Sequence, residues 1–201
     1  MGRTSDAKEK LMEAAWELIW AGSYSGTSVD QICERADVRK GSFYHFFESK
    51  VELAKAALDD AWKKHLAELD HIFSPLHPAL ARLRKFCEYL VADQREIAAK
   101  HGRVLGCPVH SLGAEVSTWE DALQAKIIEA IAQHQRYYES AIRDAHREGL
   151  VPPLPDAAVR ARIISAYCEG LLMHARIRND LSVLDEMADG VLMIASMSAP
   201  A

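Results

Sequence analysis

Residues with chemical potential gather in two stretches of this 201-residue chain. The first is RKGSFYHFFESK, Arg39 to Lys50, which mixes cations, a glycine and four aromatic rings. The second is LGCPVHSLGAEVS, Leu105 to Ser117, which carries a thiol and an imidazole. On a helix Cys107 and His110 are three apart and share a face, the spacing of a thiol nucleophile and its base. No Asp or Asn stands ready to orient His110, and no phosphate loop or oxyanion signature accompanies the pair. A Cys/His thiol enzyme is therefore a remote alternative, and the chain reads as a non-enzyme. The histidines form no HxxxH or HExxH spacing, so no metal site is expected, nor any cofactor.

The elements that must carry these residues are helical. Leu11, Ala14, Ala15, Leu18 and Ile19 share one face of a first helix over about 5–21. GSYSGTS breaks it, and Ser28 or Thr27 can cap a second helix with Val29, Ile32, Cys33 and Ala36 inward. A short third helix is expected over 40–47, and a long fourth after Ser49, to about 71. SPLHP separates a fifth, with Leu80, Leu83, Cys87, Leu90 and Val91 inward. A short sixth covers about 109–116 and a long seventh about 119–148. Pro152, Pro153 and Pro155 stop the seventh. Two more are expected over 156–178 and 184–196. About nine helices without a strand predict an all-α protein.

Composition sets wider bounds. Hydrophobic residues are 49% and charged residues 26% of the chain, ordinary for a globular protein with a sizeable core. The formal net charge of -5 excludes a polybasic nucleic-acid coat, so any nucleic-acid binding must rest on placed contacts. No leader pattern or membrane-length apolar run is evident, and the scattered cysteines Cys33, Cys87, Cys107 and Cys168 form no CxxC pair. A cytoplasmic protein with no membrane association is expected.

Within 27–50, two short helices flank a tight turn at Ala36-Asp37-Val38, the layout of a helix-turn-helix whose second helix enters a DNA major groove. Asp37 takes the place where glycine is usual; Asp tolerates left-handed backbone better than most residues. Phe43 and Phe47 face inward and seat the short helix, while Tyr44 and His45 point out toward phosphate. Arg39 and Lys40 stand at its N-terminus, where base-reading side chains belong. Gly41 allows close backbone approach, and Lys50 offers a phosphate contact at the next helix start. With Thr27, Ser28 and Ser42, these form the candidate DNA-binding set.

The stretch TSVDQICERADVRKGSFYHFFESKVEL resembles the TetR family of bacterial transcriptional regulators. The matching pattern is a Thr-led helix, an Ala-Gly-Val-like turn, Lys-Gly, Tyr and Phe-x-x-Lys, here at Thr27, Ala36-Asp37-Val38, Lys40-Gly41, Tyr44 and Phe47 to Lys50. Three positions depart from it. Asp37 replaces the turn glycine. Arg39 stands where a small capping hydroxyl is common, and Phe46 where many members carry Tyr or His. The resemblance implies an N-terminal helix-turn-helix domain over 1–50 and a helical effector-binding and dimerisation domain over 51–201. It also implies a regulator, by family habit a repressor, released from a palindromic operator in double-stranded DNA by a small molecule. Positive charge in the head concentrates at Arg39, Lys40 and Lys50, with Arg3 and Lys8 in reach of a neighbouring groove.

A palindrome needs a homodimer, and the last two helices are the candidates. Ala161, Ile164, Ser165, Cys168 and Leu172 form one stripe, and Leu184, Met187, Val191 and Ile194 another. Such stripes serve equally a four-helix interface or the chain's own core. The resemblance also implies an effector pocket, for which Trp62, Phe86, Tyr89, Cys107, His110, Trp119, Tyr138, Tyr167 and His174 are candidates. Pro108 suits a first helical position, which puts Cys107 at an N-cap, where a thiolate is favoured. The Gly-Cys…Leu-x-x-Glu-x-Ser spacing resembles a family branch with members responsive to electrophiles or oxidants. Cys107 is thus either a sensor thiol or packing.

Overall fold

The computed structural model describes residues 2–152 and 156–197, with side chains from Asp6 onward. The side chain of Arg3, and Pro153 and Pro155, lie outside the described residues. Among the described residues there are nine α-helices and a 3-10 turn, with no strand. They are α1 (Gly2–Ala21), α2 (Val29–Ala36), α3 (Lys40–Phe46), α4 (Lys50–Ile72) and α5 (Ala79–His101). There follow α6 (Pro108–Val116), α7 (Asp121–Arg147), α8 (Ala157–Arg178), the 3-10 turn (Leu181–Leu184) and α9 (Met187–Ser196). Two compact units share them. One comprises Met1–His65 and Pro108–Ala130, the other Leu66–Cys107 and Ile131–Ala201, so α4 and α7 each contribute to both.

In the first unit α1 packs against α2, α3 and α6. Its buried positions Leu11, Ala14, Ala15 and Ile19 follow the helical period. Ser49 Oγ accepts from the Glu52 amide and opens α4. Leu53, Ala54, Ala57 and Leu58 then bury in the same unit.

In the second unit α5 and α8 each pack against α9 and the 3-10 turn. The core joins Leu69, Ile72, Phe73, Leu83, Phe86, Tyr138, Ile142, Ile164, Leu172 and Met187. Asp156 caps α8 through the Ala158 amide, and Asn179 ends it in the left-handed region at φ 51°. The irregular stretch after α5 is buried at Val104, Leu105 and Gly106, so its backbone groups need partners. Gln94 supplies two: its Oε1 accepts from Gly106 N at 2.8 Å, and its Nε2 donates to Gly106 O at 3.3 Å. Asn179 Oδ1 accepts from Val104 N, and an Arg176 guanidinium nitrogen donates to Leu105 O at 2.8 Å. Gly106 sits at φ +64°, and a Cβ there would lie 3.1 Å from the Leu172 carbonyl oxygen.

One expectation needs correction. The last helix begins at Met187, not Leu184, because the Asp180 carboxylate accepts from Ser182 N and starts a separate 3-10 turn first. The two stripes, which suited a subunit interface and the chain's own core equally, face that core. Ala161, Ile164, Ser165, Cys168, Leu172, Leu184, Met187 and Val191 are all buried within the chain. A 3.6-residue period marks a covered face without saying what covers it.

Candidate nucleic-acid interface

Local chemistry builds the helix-turn-helix. Ser28 caps α2 in a reciprocal box: Gln31 N donates to Ser28 Oγ at 3.2 Å, and Ser28 N donates to Gln31 Oε1 at 2.8 Å. Asp37 closes α2 in the left-handed region at φ 52°, ψ 46°. Its own amide reaches Glu34 O at 3.1 Å, and Val38 N reaches Cys33 O at 2.9 Å. Asp therefore does here what glycine usually does, at the cost of a Cβ in a region L-residues avoid. Arg39 precedes α3 in extended conformation, without a side-chain cap, so its guanidinium is left to solvent.

The seven-residue α3 is too short to persist alone and is held by its rings. Phe43 is fully buried, 6.0 Å from the ring of the buried Phe47. The opposite face is bare. Ser28, Arg39, Lys40, Gly41, Tyr44 and His45 are exposed, and Ser42 is half-buried. A Cβ at Gly41 would meet nothing within 4 Å, so that face is open to close approach. Lys40 Nζ rests on Asp30 of α2 at 2.7 Å. The ammonium donates to the Asp30 carboxylate, which raises the Lys40 pKa and keeps the side chain charged.

Two residues of the expected DNA-binding set lie differently. Thr27 is buried, and its hydroxyl donates to Ser23 O at 2.7 Å. Lys50 turns inward. Its Nζ donates to Tyr24 O at 2.8 Å and Thr27 O at 3.0 Å, and lies 4.1 Å from the Tyr24 ring centroid. Burial lowers the Lys50 pKa, against an opposing effect of Glu115. Both serve the turn before α2, where a polar side chain finds carbonyls sooner than phosphate.

A third group in this turn was not foreseen. Glu115 of α6 accepts from Tyr24 N and Ser25 N, each at 2.7 Å. Burial alone would raise its pKa. Hydrogen bonds from Ser25 and Tyr24, with the Lys50 charge, outweigh that and hold it below the ordinary carboxylate value. Burial, then Glu120 and Glu115, push the Tyr24 phenol up to about 12. Trp119 packs on Tyr24 at 5.8 Å and donates its indole N–H to Glu115 O at 2.8 Å. These partners stand some 90 residues apart in sequence, and no local signal pairs them.

The residues expected around an effector divide between the units. Trp62, His110 and Trp119 belong to the first, and Phe86, Tyr89, Cys107, Tyr138, Tyr167 and His174 to the second. Trp119 and His174 are exposed, Trp119 with its ring against Tyr24. Phe86 and Tyr138 are fully buried, with rings 5.5 Å apart and His134 against both, so they are close-packed core. Tyr89, Cys107 and Tyr167 are half-buried. Cys107 hydrogen-bonds Glu169, whose carboxyl burial pushes up to about 7 against that bond. A cleft of about 440 Å³ does open in the second unit, lined by Leu66, Phe73, Gln133, Arg136, Tyr137 and Ser140.

Comparison with known proteins agrees with this geometry. Residues 11–57 match the family model described as bacterial regulatory proteins, tetR family. Residues 79–191 match that of the tetracyclin repressor-like C-terminal domain. The chain is 31% identical to the transcriptional regulator AcuR of Cereibacter sphaeroides over 173 residues, 85% of this chain and 77% of that protein. It is 28% identical to an HTH-type transcriptional regulator from the lacX 3' region of Lactococcus lactis subsp. lactis, over 92% of this chain and 90% of the relative. A crystal structure of a regulatory protein TetR from Rhodobacter sphaeroides superposes with TM-score 0.81 at 29% identity, covering 92% of this chain and 96% of that one. Such proteins are transcription regulators and not enzymes. With both family models matched and an open-faced helix-turn-helix at its head, the chain is a member of the TetR family of DNA-binding transcriptional regulators.

Proposed function

We propose that the chain is a cytoplasmic repressor that binds a palindromic operator as a homodimer and leaves it when a small molecule binds. One division of labour goes with this reading: residues 1–50 recognise DNA, and residues 51–201 bind effector and dimerise. The observation that carries it is the bare face of α3, where Arg39, Lys40, Gly41, Tyr44 and His45 are exposed together behind a closed turn.

Arg39 reads a base edge, and Lys40 trades Asp30 for a phosphate. Ser28, Ser42, Tyr44 and His45 complete the contacts at α2 and α3, while Thr27 and Lys50 act by holding the turn. On a duplex selected by the wild-type chain, Arg39→Ala is expected to lose discrimination at one base position, by about ten- to a hundredfold. Lys40→Ala is expected to weaken all sequences alike and reduce the log–log salt slope by about one. A Lys40→Ala slope equal to wild type, with Arg39→Ala specificity unchanged, would place α3 outside the groove.

The dimer is assigned to the outer faces of the last two helices. Val159, Ile163, Ala166, Gly170 and Ile177 of α8 are exposed at spacings of 4, 3, 4 and 7, and Met193 of α9 is exposed too. Apolar side chains left bare at helix-pairing intervals favour a symmetric four-helix contact. Light scattering is expected to give a dimer, and Ile163→Lys a monomer with much weakened operator binding. A dimeric Ile163→Lys would move the interface elsewhere.

The effector is assigned to the second unit. In its cleft, Phe73 and Tyr137 stand beside Gln133, Arg136 and Ser140. That lining favours a compound with an apolar body and a polar end. Release follows as a population shift, in which bound effector stabilises a form with low operator affinity.

A further inference from the structure

The turn between α1 and α2 reads GSYSGTS, Gly22 to Ser28, with two glycines and four Ser or Thr residues. Such a sequence has little preference for one shape and loses much conformational freedom when fixed. Yet its last residue, Ser28, is the cap of α2. Where α2 starts, and how α3 is aimed, therefore depend on what holds the turn.

Two opposite charges hold it. The Glu115 carboxylate takes the N–H groups of Tyr24 and Ser25 at 2.7 Å each, and a hydrogen bond from the Ser25 side chain as well. The Lys50 ammonium takes the carbonyls of Tyr24 and Thr27. Anion and cation thus grip the two ends of the Tyr24–Ser25 peptide group, and each holds one further peptide of the turn. The Tyr24 ring, 4% exposed, is fixed between Lys50 Nζ and the Trp119 ring. Trp119 in turn donates to the Glu115 carbonyl, which ties the ring to the residue carrying the carboxylate.

We propose that Glu115 is a positioning residue for DNA recognition, and that through it α6 controls the shape of the turn that feeds the helix-turn-helix. The inference rests on the DNA-binding reading above and deepens it. Charge-assisted hydrogen bonds of this length are lost when α6 shifts by an ångström or so. A small displacement of α6, which begins one residue after Cys107, therefore frees Tyr24 and Ser25 and loosens the turn that leads into α2.

The sign of one substitution separates positioning from a bystander role. A carboxylate beside a DNA-binding head repels phosphate, so deleting a bystander acid tightens binding. Deleting a positioning acid weakens it. Affinity is measured for a duplex that the wild-type chain has selected from a random library, with Glu115→Ala, Glu115→Gln and wild type at matched helicity. Glu115→Ala is expected to bind about tenfold more weakly or worse. Glu115→Gln, which keeps one acceptor oxygen, is expected to recover part of the loss. The salt slope stays at the wild-type value, since no phosphate contact is removed. Amide exchange at Tyr24 and Ser25 rises in Glu115→Ala. Equal or tighter binding by Glu115→Ala, or unchanged exchange at those two amides, overturns the inference alone. A wild-type chain that selects no duplex overturns the parent reading, and this inference with it.

Discussion

Phe43→Ala is expected to cost the DNA-binding head about 3–5 kcal/mol and to abolish operator binding. Phe43 is fully buried and meets Phe47 and Tyr44 by its ring. Its helix is seven residues long, below the length at which an isolated helix persists in water. Tertiary contact is therefore nearly all that holds α3, and Phe43 supplies the centre of it. Removing the ring loses its transfer free energy and leaves a cavity lined by side chains that also pack α1 and α2. Urea titration followed by circular dichroism should show an early transition absent from wild type. Tyr44→Phe is the control, because Tyr44 is 58% exposed and lies on the outer face. It should leave the titration unchanged and alter only DNA affinity. An unchanged Phe43→Ala titration would mean that α3 is not seated as described.

Asp144→Ala is the second large effect, expected to destabilise the second unit by about 3 kcal/mol. Arg82 is 3% exposed, and its guanidinium donates to Asp144 Oδ2 at 2.5 Å and to His77 O at 2.8 Å. Taking away the carboxylate leaves a cation buried with carbonyls alone, and an uncompensated buried charge is what makes such a change costly. The direction with pH follows. The hydrogen bond from Arg82 holds the Asp144 pKa below its ordinary value, despite opposing burial. The carboxylate's contribution is thus fully present above the unfolded carboxyl pKa of about 3.9 and is lost as pH falls through the folded value. Wild type and Asp144→Ala should converge in stability in that acid range. A constant gap down to about pH 2 would show that the charge is not the cause.

What the sequence disclosed follows the range of the interaction. Ser28 with Gln31, Asp37 in the turn and the uncapped Arg39 are settled by neighbours within four residues, so they were readable one by one. Phe43 and Phe47 declared themselves by their spacing. Lys50 did not: a lysine at a helix start suits phosphate equally well as carbonyls, and Tyr24 and Thr27 lie over 20 residues away. Glu115 was visible inside a motif, but its partners are 90 and 91 residues distant. The stripes of α8 and α9 were ambiguous for a different reason. Ile164 and Ile163 are adjacent and equally apolar, yet one is fully buried and the other half exposed. Which face meets the chain's own core depends on how α5 and the 3-10 turn pack there, and periodicity carries no such information.

The effector side was least legible for the same reason. Rings such as Phe86 and Tyr138 were candidates by type, and they proved to be close-packed against Phe73 and His134. The cleft draws instead on Gln133, Arg136 and Ser140, polar residues on one stretch of α7 with nothing in their spacing to single them out.

The central claim is that α3 reads base edges from two copies of the chain. Selection of bound fragments from a random duplex library at modest ionic strength tests it most directly. The account predicts enrichment of an inverted repeat with half-sites about one helical turn apart, roughly 34–36 Å between centres. That enrichment should lose one base position in Arg39→Ala. Fragments with no shared sequence after repeated rounds, from a dimeric and folded wild-type protein, would contradict it.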